Sequence, residues 1–409
     1  MTRRTTTVRR TATTRRTFTV CLAAVTLGIG LLAGCSNHDA DVELDPALSP
    51  EAGLGKLIFE DKSLSASGQL ACQSCHDPGR AHAGEGPFGV PAGGVRGDQF
   101  GFRKAPSIRY LKFAPEFAFK LDEGELIPVG GFFWDGRARS LAEQAKMPFL
   151  NPREMANASP ADVVELLRRT PYAATFARVY GLTSWGDVDA VYQHMADSLA
   201  RYQREDPDFA PFDSKFDRVA QGAASFTEQE QRGFELFKDA EKGNCAACHV
   251  LDVPDGAPGP LLTDFTYDAL GVPRNAAIPE NADSAFFDQG LCGPSRTEYS
   301  GRPELCGLFK VPSLRNVALT APYFHNGRFA TLVDAIRFYV QRDTNPDAFY
   351  PADPDGHVRK FDDLPVANHG NVNTSEVPYG QLAGEAPRLT DSEIDDLAAF
   401  LLTLSDGYR

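Results

Sequence analysis

Two copies of the pattern C-x-x-C-H stand in this chain of 409 residues, at residues 72–76 (CQSCH) and 245–249 (CAACH). The spacing is that of c-type haem attachment, in which two thiols bind one porphyrin and the adjacent histidine ligates its iron. A zinc site and a thioredoxin-like dithiol are the alternatives. Zinc-binding pairs usually lie closer together than these, and a dithiol does not require the histidine. We therefore predict two covalently bound haem c groups, attached through Cys72, Cys75, Cys245 and Cys248 and ligated by His76 and His249.

Residues 1–34 are typical of an export signal. Six arginines and no acidic residue lead into an apolar stretch at about residues 20–32, which is too short for a comfortable membrane span. The stretch ends in residues 32–35 (LAGC), which resemble a bacterial lipobox, so Cys35 is predicted to be acylated. Residues 14–18 (TRRTF) also resemble a twin-arginine signal. We expect a periplasmic lipoprotein, in a compartment where haem c is assembled and disulfides persist.

Cysteine usage fits that compartment. Cys21 leaves with the signal, Cys35 takes the lipid, and four cysteines hold haem. The remaining two, Cys292 and Cys306, flank a loop rich in Gly, Pro, Ser and Arg. A disulfide between them is predicted to stabilise the fold by roughly 3 kcal/mol.

The net charge excludes one class of partner. The formal charge of −14 becomes about −20 when the six arginines of the signal are removed. Nucleic acid is excluded because its phosphates would be repelled. A basic redox protein is an electrostatic match for this surface, although a solvated acidic surface without a partner is the commoner explanation.

The chain is predicted to be mainly α-helical, with two tandem cytochrome c-like haem domains and long loops. Residues 35–50 form a tether, residues 51–212 the first domain and residues 222–409 the second. An internal repeat supports the division, because residues 54–59 (LGKLIF) and 232–237 (RGFELF) precede the two haem motifs in the same way.

Helix starts are marked by capping residues and by apolar periodicity. Ser159 before Pro160 predicts a helix to Arg169, and an apolar stripe predicts another over residues 186–204. Thr331 is predicted to cap a helix with one apolar face. Two capping boxes predict further helices, at Thr227 with Glu230 and at Thr390 with Glu393.

The second axial ligand distinguishes a passive electron carrier from a reactive haem. A methionine or histidine opposite the proximal histidine keeps the iron six-coordinate. The four methionines are Met1, Met147, Met155 and Met195, so none follows Cys245. The second haem therefore has no methionine ligand within its own domain.

Several segments resemble one family from residue 54 to the C-terminus. In the first half these are residues 133–138 (FWDGRA), 141–145 (LAEQA) and 151–155 (NPREM). In the second half they are residues 309–316 (FKVPSLRN) and 320–327 (TAPYFHNG). The chain resembles the bacterial di-haem cytochrome c peroxidases and their MauG-like relatives of methylamine utilisation.

The resemblance implies a different ligand set for each haem. In the MauG-like branch a tyrosine fourteen residues after the histidine of the Y-F-H-x-G segment ligates the second iron, and Tyr339 holds that position here. A phenolate is hard and anionic, so it favours oxidised iron. The alternative is that Tyr339 is only a core aromatic residue.

The first haem is predicted to be open to peroxide. By resemblance, Glu154 lies over the open face as general acid and base, Gln144 orients the peroxide, Pro148 shapes the pocket, and Trp134 passes an oxidising equivalent between the haems. The alternatives are a solvated acid at Glu154 and a buried structural Trp134. His82 is expected at the surface or beside a propionate, because six residues are too few to reach the distal face easily.

One departure concerns a calcium ion. In the family, calcium between the haems is held by an asparagine and by carbonyls of a T-x-P segment, which corresponds to Thr320 and Pro322 here. Lys104 stands at the asparagine position, and a cationic side chain beside a cation is unfavourable. We expect calcium to be lost and the Lys104 ammonium to replace part of its charge.

The sequence as a whole favours a periplasmic di-haem c peroxidase that reduces hydrogen peroxide. Its electrons would come from a small redox protein such as a cytochrome c or a cupredoxin. Two alternatives stay open at this point. One is MauG-like oxidative modification of a partner protein, and the other is a non-catalytic di-haem electron relay.

Overall fold

A computed structural model describes residues 42–122 and 124–409. The predicted signal and the predicted lipidation site at Cys35 lie outside the described residues. The described part is mainly helical, as predicted, with small two-stranded antiparallel sheets β1–β2, β3–β4 and β5–β6. Its helices are α1 (Pro50–Glu60), α2 (Cys72–Cys75), α3 (Leu141–Leu150), α4 (Pro160–Arg168), α5 (Ala173–Val179), α6 (Val188–Glu205), α7 (Lys215–Ala220), α8 (Glu228–Lys238), α9 (Leu332–Gln341) and α10 (Asp391–Leu402). Its strands are β1 (Ala92–Gly93), β2 (Gln99–Phe100), β3 (Ala118–Asp122), β4 (Glu125–Val129), β5 (Tyr267–Asp268) and β6 (Phe309–Lys310).

The predicted helix starts are confirmed. The side chains of Ser159, Thr227, Thr331 and Thr390 each accept a hydrogen bond from the backbone N–H three residues later. Those at Thr227 and Thr390 belong to complete capping boxes. Each cap satisfies backbone donors that the first turn leaves unpaired, which stabilises a helix by about 1 kcal/mol.

The buried apolar side chains form one large cluster in each half. The first cluster joins α1, α4 and α6 around residues such as Leu54 and Met195. The second joins α8, α9 and α10 around residues such as Phe237 and Phe400. The division into domains at residues 212–222 stays a prediction. Residues 42–49, within the predicted tether, pack on the first cluster through Leu44 and Leu48, so this part does not extend freely from it.

The internal repeat corresponds to two close helix crossings. Gly55 lies where α1 crosses α6, and a Cβ at this glycine would stand 2.0 Å from the carbonyl oxygen of Ser198. Gly233 lies where α8 crosses α10, and a Cβ there would stand 2.0 Å from the carbonyl oxygen of Asp396. The two helices of each pair can approach this closely only because both positions are glycine.

A network of buried charges links the two halves. Arg103 of the first half donates to both carboxylate oxygens of Asp288 in the second, at 2.6 and 2.7 Å. The same guanidinium donates to Asp135 at 2.6 Å, and Asp135 is fully buried. Because buried charges are tolerated only when they are paired, this network fixes the two halves against each other.

Two further features concern the remaining predictions. Cys292 and Cys306 form a disulfide, which closes a shorter loop within the connection between β5 and β6. Within the described residues, none of the helices combines the length and apolar character needed to span a bilayer.

Candidate haem sites

Each C-x-x-C-H motif places its histidine in the same way. The N–H of Nδ1 of His76 faces the carbonyl oxygen of His82 at 3.0 Å, and Nδ1 of His249 faces that of Leu262 at 2.9 Å. A hydrogen bond from Nδ1 leaves Nε2 as the free ligand atom and orients the ring. Burial lowers the pKa of His76 to about 4 and also lowers the pKa of His249, so both rings are neutral near pH 7, as iron ligation requires.

The loops that supply these carbonyls share a backbone conformation. His82 has φ of 55° and Leu262 has φ of 57°, both in the left-handed region. Ser107 and Ser313 donate hydrogen bonds at 2.6 Å to the carbonyls that immediately precede these two residues. The duplicated sequence has therefore folded twice into the same scaffold behind the histidine.

The expectation of a surface position for His82 is wrong. The side chain is 1% exposed, stacks on the Phe209 ring at 4.4 Å and pairs through Nε2 with Asp208 at 2.6 Å. Its carbonyl faces His76, so the residue lies behind the histidine that is predicted to ligate the iron. The carboxylate partner is 126 residues away in the chain and could not be inferred from local sequence.

A cavity with mainly apolar walls surrounds the second motif. Its volume is about 220 Å³. The cavity is lined by both thiols of the motif, by the histidine and by a phenol oxygen donor, so its walls suit a porphyrin. The residues that would hold the group are Cys245, Cys248, His249 and Tyr339.

Tyr339 is placed on α9 with its ring in this cavity. Burial raises the pKa of Tyr339 well above its usual value, and the nearby Cys248 raises it further. The residue is therefore a neutral phenol unless a metal ion displaces its proton.

Sequence reasoning missed a second tyrosine in the same cavity. Tyr379 stacks on Tyr339, with ring centroids 6.3 Å apart, and the Arg342 guanidinium lies 3.9 Å from its ring centroid. Within the described part of the chain, the buried Tyr379 hydroxyl has no hydrogen-bond partner. A buried donor without a partner is unfavourable, which is a further sign that this cavity holds a group with polar atoms.

Glu154 is held close to the first motif. It follows α3 in a turn where its side chain accepts from the Asn151 amide at 2.5 Å and its carbonyl accepts from Gly94 N–H at 2.8 Å. The approach requires a glycine, since a Cβ at Gly93 would stand 2.1 Å from the Arg153 carbonyl oxygen. Strand β1 thus clamps the turn that presents the carboxylate.

The Glu154 carboxylate acts on the thiols of the first motif. Burial, together with the negative charge of Glu154, raises the pKa of Cys75 to about 12. Burial also raises the pKa of Glu154, while the Arg137 guanidinium and the Asn151 hydrogen bond lower it. A carboxyl group whose pKa is raised by burial beside a reaction site is suited to proton transfer.

Gln144 and Pro148 lie on α3, the helix before this turn. Both residues are half-buried. Among the described residues, no hydrogen bond joins the Gln144 side chain to Glu154. The structure therefore brings Glu154 to the first motif, whereas the role of Gln144 rests on the resemblance.

Helices α3 and α9 occupy equivalent places in the two halves. Each has ten residues, follows a Ser or Thr cap, and comes after a loop whose phenylalanine has φ of 66° (Phe133 and Phe324). Pro148 is the eighth residue of α3 and Tyr339 the eighth residue of α9. The position that offers an oxygen donor in the second half therefore holds a side chain without any ligand atom in the first.

Trp134 belongs to the first half in sequence but lines the cavity of the second. Its Nε1 donates to the Lys104 carbonyl at 2.9 Å, and its own carbonyl accepts from Lys310 N–H at 2.9 Å. His325 stands at the equivalent place in the second half, and its carbonyl accepts from Lys104 N–H at 2.7 Å. The indole is thus fixed at the junction of the two halves.

Lys104 is 6% exposed, and its Nζ donates to the carbonyl oxygen of Thr320. Burial and the Arg80 charge lower the pKa of Lys104 to about 7. Lys310 is also buried and donates through Nζ to the Gly131 carbonyl at 2.5 Å. One lysine from each half therefore reaches a carbonyl of the other, and Lys104 contacts a carbonyl that was predicted for calcium.

Comparison with known proteins identifies the family of this chain. A family model for di-haem cytochrome c peroxidase matches residues 49–225. Methylamine utilization protein MauG of Paracoccus denitrificans is 36% identical over 88% of this chain and 90% of its own length. Cytochrome c551 peroxidase of Nitrosomonas europaea is 29% identical over 80% of this chain and 87% of its own.

Solved structures of di-haem peroxidases and MauG-like proteins also align with this chain. The diheme peroxidase BthA of Burkholderia thailandensis aligns with a TM-score of 0.79 at 39% identity, over 89% of this chain and 87% of that one. A MauG-like protein associated with microbial copper homeostasis aligns with a TM-score of 0.62 at 26% identity, over 90% of this chain and 93% of that one. The chain therefore belongs to the di-haem cytochrome c peroxidase family that includes MauG.

Proposed function

We propose that the protein is a periplasmic, lipid-anchored peroxidase that reduces hydrogen peroxide at the haem attached to residues 72–76. Membership of the family makes it a haem oxidoreductase with two c-type haems. When bound, the haems supply the iron that exchanges electrons with peroxide. The covalent attachment through the four cysteines, the ligation by Tyr339 and the lipid at Cys35 are parts of this proposal.

The observation that carries the proposal is the pairing of Pro148 with Tyr339. A proline side chain has no atom that can ligate iron, so the first site keeps a position for peroxide. The phenolic oxygen of Tyr339 would fill the same position at the second site. An open metal site and a closed one in a single chain fit a division between reaction and electron transfer.

The first site contains a group that can move the protons of the reaction. Reduction of hydrogen peroxide to two waters consumes two electrons and two protons. Glu154 would take a proton from one peroxide oxygen and return it to the oxygen that leaves. Its burial raises the pKa of the Glu154 carboxyl group, and the Arg137 guanidinium opposes part of that rise.

The electron donor is proposed from charge. The mature chain carries a net charge near −20, which favours a small basic redox protein such as a cytochrome c. Trp134, fixed between the two halves, would carry oxidising equivalents from one haem site to the other.

The decisive experiment mixes the diferric holoprotein with one equivalent of hydrogen peroxide and records its optical and electron paramagnetic resonance spectra. We expect the high-spin ferric signal of the first haem to disappear without prior reduction. A reaction that begins only after one haem has been reduced would favour the ordinary peroxidase cycle. No reaction in either state would favour the electron relay.

A second experiment tests the ligand of the second haem. Tyr339→Met should change the spectrum of that haem and raise its potential, because a neutral thioether replaces an anionic oxygen. Tyr350→Phe is the matched control. Tyr350 is buried in the same core, and its hydroxyl donates a hydrogen bond to the Gly271 carbonyl. An unchanged spectrum in Tyr339→Met would disprove the ligand assignment.

A further inference from the structure

The first haem site has a side-chain tether behind its proximal histidine. The carbonyl of His82 accepts the hydrogen bond of His76, and the imidazole of His82 pairs with Asp208 at 2.6 Å. The imidazole is also held against the Phe209 ring at 4.4 Å. The backbone carbonyl and the side chain of His82 are thus both held by named contacts.

The second site lacks this tether although its backbone is the same. Leu262 has the left-handed φ of His82 and presents its carbonyl to His249 at 2.9 Å. Leu262 is fully buried in the second apolar cluster and has no polar side-chain atom. The side-chain tether is therefore specific to the first site, because the second site forms the same backbone contact without it.

Asp208 of this tether is itself held by further charged residues. Asp208 also pairs with the guanidinium of Arg109, and Arg109 lies 3.3 Å from Asp406 near the C-terminus. Asp406 accepts from the Tyr110 hydroxyl at 2.7 Å. Arg109 is nearly buried, so these contacts hold the Asp208 carboxylate in one orientation toward His82.

We propose that His82 and Asp208 are positioning residues that strengthen the bond from His76 to the iron of the first haem. An acceptor fixed on the second ring nitrogen makes a histidine a more basic ligand. A more basic ligand stabilises oxidised iron, which is the state that the peroxide reaction of this site uses. The inference rests on the proposed function, because it assigns the tether to the site where peroxide reacts.

The test uses two variants of the holoprotein. His82→Leu copies the residue of the second site, and Asp208→Asn removes the charge while it keeps the shape of the side chain. We expect both to lower the iron–histidine stretching frequency of the reduced first haem in resonance Raman spectra. Both should also raise the midpoint potential of the first haem and leave that of the second unchanged.

Asp189→Asn is the matched control, since it removes the same charge from an exposed position on α6 and should leave both haems at their parent values. If His82→Leu and Asp208→Asn keep the parent frequency and potential, the inference is wrong. Should His82→Leu not fold, Asp208→Asn alone decides. A parent protein without any iron–histidine band in the reduced state would contradict the open first site, and the potentials would still test the tether.

Discussion

Glu154 offers a test at the scale of one residue. Glu154→Gln keeps the size and the Asn151 contact but cannot accept a proton, so the reaction with peroxide should slow by about 10²–10⁴-fold. Stopped-flow mixing with peroxide measures the rate. Glu165→Gln is the control, because Glu165 pairs with arginines on the exposed side of α4. An unchanged rate in Glu154→Gln would remove this residue from the mechanism.

The pH dependence should follow the neighbour of this carboxylate. The proposed mechanism needs ionised Glu154, so the rate of the peroxide reaction should fall as the pH drops through the pKa of this group. Burial raises that pKa and Arg137 lowers it, so Arg137→Gln should move the acid limb of the rate profile to higher pH. Arg328→Gln changes the equivalent arginine of the second half and should leave the limb in place. If the acid limb of the rate profile stays at the same pH in Arg137→Gln, a group other than Glu154 controls it.

We expect Lys104 to prevent a cation from binding between the halves. Its Nζ already contacts the Thr320 carbonyl, so we expect no calcium in the purified protein. Lys104→Asn removes the ammonium and supplies an oxygen ligand, and it should therefore gain one calcium ion. Metal analysis after dialysis measures both proteins. One tightly bound calcium per parent molecule would contradict this expectation.

At the scale of elements, the glycines at the two helix crossings determine how closely the paired helices approach. Alanine is a better helix former than glycine by about 1 kcal/mol, yet a Cβ at Gly55 or Gly233 would overlap a carbonyl oxygen across the crossing. Each Gly→Ala change should therefore lower the free energy of unfolding, by about 1–3 kcal/mol. Urea unfolding of the holoprotein measures the change.

Gly301→Ala is the control for this pair, because a Cβ at Gly301 would meet no atom within 4 Å. We expect it to change the free energy of unfolding by less than about 0.5 kcal/mol. If Gly55→Ala and Gly233→Ala are equally mild, the two crossings tolerate more separation than their contacts indicate.

Local signals were enough to predict some of these elements but not their contacts. The capping residues Thr227, Thr331 and Thr390 act within one turn, so their helices could be predicted from neighbouring residues. His82 and Tyr379 were misplaced or missed because their partners are distant in the chain. Nothing near His82 indicates that Asp208 will lie beside it, and this pairing depends on how α6 returns to the first motif.

Charge acts at the scale of the whole molecule. The net charge is −14, and it becomes about −20 if the predicted signal is removed. Such a charge should attract a basic cytochrome c over a distance of about 10 Å at 0.1 M salt. The rate of electron transfer from such a donor should therefore fall steeply as salt increases. Steady-state peroxide turnover at increasing salt measures the effect, and a neutral small-molecule reductant is the control. Equal salt dependence for both donors would contradict electrostatic recruitment.

The contacts that Lys104 and Lys310 each make with the opposite half have a consequence for the evolution of the two haem sites. Each lysine is buried only because a carbonyl of the opposite half receives its ammonium, and Trp134 and His325 accept the backbone N–H groups of the same two residues. A fragment holding either haem motif alone would expose its buried lysine, and a fragment with the second motif would also lose Trp134 from the wall of its cavity. The two haem sites can therefore diverge in their ligands, but an exchange between related proteins has to transfer both halves of the chain together.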